Sequence, residues 1–79
     1  MYFIQEEHKF DRFKIGFTRN LAQRLADLQI GNPDVLVVYK TIENVTVKTE
    51  HRLHRYFAKY HIRGEWYSVT PDMIDCFLK

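Results

Sequence analysis

The chain opens on a short apolar and aromatic run, residues 1–5, which predicts a first strand. A polar stretch over residues 6–11 reads as a connection. Residues 12–17 then alternate polar with apolar, the period of a half-buried strand. Two such runs across a short polar loop predict an antiparallel hairpin. Thr18 or Asn20 can cap the next element, because either side-chain oxygen can accept from the free N–H groups of a first helical turn. Leu21, Leu25 and Leu28 follow at helical spacing as one apolar stripe, which Gly31-Asn32-Pro33-Asp34 ends. Residues 35–42 are rich in β-branched and apolar side chains and predict a strand buried on both faces.

A longer helix is predicted over residues 47–60. Leu53, Tyr56, Phe57 and Tyr60 lie on one side of it, and Lys48, Arg52, Arg55 and Lys59 on the other. Arg63-Gly64 breaks that helix, and residues 65–69 read as extended or as a short strand. Thr70-Pro71-Asp72 is a helix start, with threonine as cap and proline at the first position. Met73, Ile74, Phe77 and Leu78 give this last helix an apolar face. The order strand, strand, helix, strand, helix, short extended piece, helix predicts an α+β fold, a small mainly antiparallel sheet covered by helices.

Composition sets the limits. A chain of 79 residues makes one domain, residues 1–79, and 46% hydrophobic and 15% aromatic residues supply the large side chains a small core needs. Nothing in it is low in complexity, and no internal repeat is present. The 12 basic and 10 acidic residues give only +2, so the placing of charge says more than its sum. Cys76 stands alone, which excludes an intramolecular disulfide. No apolar run approaches a membrane span and no leader pattern opens the chain, so a soluble, cytoplasmic protein without membrane partners is expected. On that expectation the glycan acceptor pattern Asn44-Val45-Thr46 is a chance match.

Several residues can carry chemistry, and each has an ordinary reading beside the functional one. Arg24 borders the leucine stripe of the first helix, where an arginine is often just solvated. A fixed guanidinium there can instead grip a phosphate and offset developing charge. Glu50, near Lys48, Arg52 and Arg55, is an ordinary surface ion-pair partner, or a lone carboxylate for a hard cation such as Mg²⁺. Lys14 is an exposed strand residue, or a proton acceptor if its surroundings lower its pKa. Tyr2 is a core aromatic, or a hydroxyl that meets an attacking water. His51, His54, His61 and Cys76 match no zinc pattern, while His54, four residues after Glu50, can orient a water or touch phosphate. Lys48, Arg52, Arg55 and Lys59, with Arg63 beyond, make a backbone-contact stripe for nucleic acid or a plain solvated face. Trp66 reads as a core anchor rather than a platform for bases.

The order of these residues resembles the GIY-YIG nuclease superfamily. Tyr2-Phe3-Ile4, Lys14-Ile15-Gly16 and Arg24 match its opening. Glu50 with Leu53-His54 and Phe57, then Gly64-Glu65-Trp66-Tyr67, is similar to the branch found in many bacteriophage open reading frames and in a fungal meiotically up-regulated gene family. The resemblance runs from Tyr2 to Tyr67. It implies a three-stranded antiparallel sheet flanked by helices and hydrolysis of DNA phosphodiesters with one divalent metal, Mg²⁺ or Mn²⁺. Glu50 would bind the metal, Arg24 would stabilise the pentacoordinate phosphate, and Tyr2 would stand at the attacking water. Lys14 would take the place of the second motif's tyrosine. The first motif's Gly and Ile are missing, Leu28 stands where some members have histidine, and the late asparagine has no clear match.

The resulting expectation is a metal-dependent DNA endonuclease from a phage or mobile element, monomeric or weakly dimeric, with no small-molecule cofactor. RNA stays open as substrate. A non-catalytic nucleic-acid-binding module and a protein-interaction domain using exposed aromatics are the alternatives.

Overall fold

A computed structural model describes residues 1–79. Strand β1 (Tyr2–Glu6) and strand β2 (Phe13–Gly16) form the expected hairpin, with Tyr2 opposite Gly16 and Phe3 opposite Ile15. Helix α1 (Leu21–Ile30) starts at Asn20, whose side chain accepts from the Gln23 N–H at 3.1 Å. Thr18 is the brace of that cap rather than the cap, since its hydroxyl accepts from the Asn20 N–H at 3.1 Å. Strand β3 (Leu36–Thr41) then returns to pair with β1.

Helix α2 (Val47–Phe57) is capped by Thr46, and a single tight turn, Ala58–Tyr60, ends it. The expected helix therefore stops short of residue 60. Two short strands follow, β4 (His61–Arg63) and β5 (Trp66–Tyr67), before helix α3 (Pro71–Phe77), which Thr70 caps. Gly64, at φ +53°, adopts the left-handed conformation that lets β4 fold back on β5, a role glycine takes at little steric cost. The sheet is thus five-stranded and wholly antiparallel, ordered β3-β1-β2-β5-β4. The expectation of three strands holds for β1, β2 and β3. It missed the second hairpin because β4 is three fully exposed residues with no apolar alternation to betray it.

Alternation along β1 divides the molecule into two layers. Phe3 on one face joins Phe13 and Ile15 beneath Leu53 and Phe57 of α2 and Ile74 and Phe77 of α3. The Phe57 ring lies 5.2 Å from Phe77 and 6.3 Å from Tyr67 in the tilted and edge-on arrangements aromatic quadrupoles favour. The other face carries Tyr2, Ile4 and Leu36 under the Leu21, Leu25 and Leu28 stripe of α1, with Trp66 beside them. Strand β3 is not buried on both faces as its composition led us to expect. Only Leu36 is buried, and Val38, Lys40 and Thr41 are exposed, because β3 lies at the sheet edge. The same β-branched run fits a central or an edge strand, and position in the sheet decides which.

Candidate active site

Three residues far apart in sequence meet on the α1 face of the sheet. Tyr2 is buried, 1% exposed, and lies across from Gly16. A Cβ at position 16 would overlap the Tyr2 hydroxyl and the Glu65 carboxylate, so glycine leaves the space in which they meet. The Tyr2 Oη donates to Glu65 Oε1 at 2.6 Å and accepts from Arg24 Nε at 3.2 Å. Arg24 Nη2 also donates to Glu65 Oε2 at 3.4 Å. Arg24 can reach them because it sits on α1 at the border of the half-buried leucine stripe, its side chain still 40% exposed.

Electrostatics follow from this placement. Burial is the main cause that lifts the Tyr2 phenol above its ordinary value. The Arg24 hydrogen bond opposes that rise, and the bond to Glu65 adds to it. Tyr2 is therefore a neutral phenol near pH 7, its one proton engaged by Glu65. The hydrogen bond to Tyr2 is the main cause that raises the Arg24 pKa, so the guanidinium is charged at any ordinary pH. Arg24 uses the Nε–Nη2 side of its fork within the protein, and Nη1 makes no hydrogen bond to it. A planar guanidinium held this way keeps a second pair of N–H groups for a bidentate anion.

Beside this group lies a cleft of about 800 Å³ between the end of the sheet and the starts of α1 and α2. Tyr2, Phe17, Arg19, Leu21, Val47 and Glu50 are among its lining residues. Glu50 stands in the first turn of α2, where the partial positive charge of the helix end favours a carboxylate. His54, one turn on, places Nε2 3.8 Å from Glu50 Oε1. Tyr2 and Glu50 thus share the cleft, while Arg24 reaches Tyr2 from α1.

The remaining candidate residues are elsewhere. Lys14 holds its Nζ 4.8 Å from the centre of the Trp66 ring, its cross-strand neighbour, and makes no hydrogen bond to the Tyr2 group. Trp66 is half-buried and packs as an anchor beneath α1. Lys48, Arg52 and Arg55 do share one side of α2, whereas Lys59 falls in the tight turn after it, and Lys48 points roughly 160° around the helix from Glu50. Arg52 donates to the Phe77 carbonyl at 2.9 Å and lies over the Phe77 ring, tying α2 to the end of α3. Lys59 rests on Tyr60, and Arg63 belongs to the edge strand β4. The row does not line the cleft. Arg19 does, and so do Thr18 and Thr46, none of which was a site candidate from the sequence. Glu65 was missed as well, although an acidic residue between Gly64 and Trp66 was its one visible signal.

A five-stranded antiparallel sheet thus lies between α1 on one side and α2 and α3 on the other, with an arginine–tyrosine–glutamate group beside a cleft that holds carboxylates as well as an arginine. The T5orf172 domain model matches residues 1–79, and the chain belongs to that family. No curated protein and no solved structure matches it. No helix is long and apolar enough to cross a membrane.

Proposed function

We propose that the chain is a divalent-metal-dependent DNA endonuclease of the GIY-YIG kind. The observation that carries this reading is Arg24, held on one side by a buried phenol and a carboxylate with the rest of its fork free, next to a cleft that contains Glu50. The free N–H groups suit two oxygens of one phosphate, and their charge stabilises a pentacoordinate phosphate more than the starting diester. Tyr2 Oη spends its one hydrogen bond as donor on Glu65, so its remaining lone pair accepts from an attacking water and orients it. Lys14 adds positive charge on the same face of the sheet. His54 flanks the Glu50 carboxylate.

The donors around Glu50 suit a hard cation. Glu43 and Asn44, both oxygen-bearing residues, line the same cleft, and no three His, Cys, Asp or Glu side chains form a closed cage. Mg²⁺ needs no such cage, because it keeps several of its waters and takes one or two carboxylates. Bound at Glu50, the ion supplies Lewis-acid polarisation of a phosphoryl oxygen.

The test is nicking of supercoiled plasmid with Mg²⁺ or Mn²⁺ by the wild type, Glu50→Gln and Arg24→Ala, each checked for folding. Metal-dependent nicking that both substitutions remove is the expected result. Retarded but uncut DNA in a gel points to a non-catalytic binding module instead. Cutting that survives both substitutions sinks the site assignment.

A further inference from the structure

We propose that Glu65 is the positioning residue of this site, the group that presents Arg24 to the phosphate and Tyr2 to the water that attacks it. The proposal rests on the nuclease reading above. Its ground is the backbone as much as the side chain. The Glu65 carbonyl accepts from the Ile15 N–H at 2.8 Å, which extends the β2–β5 ladder by one bond and fixes Glu65 beside Gly16. From there its two carboxylate oxygens divide the work. Oε1 takes the Tyr2 proton at 2.6 Å, and Oε2 takes an Arg24 N–H at 3.4 Å.

Each contact removes one freedom that the chemistry cannot tolerate. A phenol has one proton, and with it committed to Glu65 the oxygen meets any other group only as an acceptor. An arginine on a helix border otherwise samples many rotamers. Glu65 and Tyr2 hold one edge of its fork, so the other edge keeps a fixed direction. A partly exposed ion pair at 3.4 Å contributes little to stability, so its value here is orientation. Gly16 completes the device by leaving room for the carboxylate and hydroxyl to meet.

Glu65→Gln is the informative change. The amide oxygen still accepts from Tyr2, so the buried hydroxyl keeps a partner, but an NH₂ now faces the Arg24 N–H groups. Initial rates on supercoiled plasmid with Mg²⁺, taken across plasmid concentrations, are expected to show kcat lowered by about 10²-fold with KM changed little, as for a misplaced reacting group. The double variant Arg24→Ala/Glu65→Gln is expected to be no slower than Arg24→Ala alone, because Glu65 acts through Arg24. Glu65→Asp keeps the charge, shortens the reach and serves if the glutamine variant does not fold. It is expected to lose kcat by a smaller factor. Wild-type kcat in whichever variants fold, or losses that multiply in the double variant, overturns the positioning role while leaving the nuclease intact. A wild type that cuts no plasmid overturns the nuclease reading and the positioning role together.

Discussion

Two carboxylate–guanidinium pairs stand at opposite ends of β1, and they are built differently. At one end Glu6, only 4% exposed, receives both Arg12 Nη2 and Nε on one oxygen, at 2.8 and 3.1 Å, and Asn32 on the other. Lys9 approaches as well, and the Arg12 guanidinium lies over Trp66. Both oxygens of the carboxylate are engaged, and it is shut away from solvent. At the other end Glu65 and Arg24 meet at 3.4 Å, share the Tyr2 hydroxyl and stay partly open to solvent. A pair closed on itself fastens a hairpin to the loop after α1. A pair whose carboxylate stays partly exposed and shares a buried hydroxyl, beside a cleft that holds a second carboxylate, is suited to a ligand.

Substituting each arginine is the sharpest way to break this comparison. Arg24→Ala is expected to slow plasmid nicking by about 10²–10³-fold, the loss typical of one electrostatic donor to a transition state. Its urea midpoint should barely move. Arg12→Ala should do the reverse. Leaving Glu6 buried with fewer partners costs about 1–3 kcal/mol in a denaturant melt, while the nicking rate per folded molecule is retained. If both variants lose rate equally, the two ends of β1 do not differ in the way proposed.

A glycine pair sharpens it further. Gly16→Ala crowds the Tyr2–Glu65 contact and is expected to cost about 1–3 kcal/mol with a loss of nicking. Gly31→Ala meets nothing within 4 Å, so its thermal midpoint and rate should match the wild type. The smallest effect is in alkali. Burial raises the folded Tyr2 phenol above its ordinary 10.0, so folding favours the protonated form. That contribution is whole below about pH 10 and fades as pH rises through the folded value. Thermal melts from pH 8 to 11 should therefore fall less steeply for Tyr2→Phe than for the wild type, and identical slopes would remove Tyr2 from the account.

The helices were legible because their signals are local. Asn20 and Thr70 announce starts within a few residues, and the leucine stripe of α1 declares its buried face. Gly64 was legible as a break but not as a hairpin turn, since the strand it serves has no buried side chain to set a period. The site was legible only in part. Tyr2, Arg24 and Glu50 stand in a recognisable order, whereas the partner that joins two of them, Glu65, is 63 residues from Tyr2 and 41 from Arg24. No periodicity reaches across such distances. The basic row kept Lys48, Arg52 and Arg55 on α2 but lost Lys59 to the turn after it, and spacing cannot say that Arg52 faces the end of α3 or that the cleft opens on another side.

The separation between Tyr2 and Glu65 also has a consequence in time. A growing chain leaves the ribosome from its N-terminus, so Tyr2 and Arg24 emerge long before Glu65 does. The phenol waits without its acceptor, and the arginine without its second anchor, until the 41 residues that follow Arg24 have been made. Long-range strand pairing such as β2 with β5 is also among the slower steps of folding. The group therefore comes together only once Glu65 has been made, 63 residues after Tyr2 and 41 after Arg24.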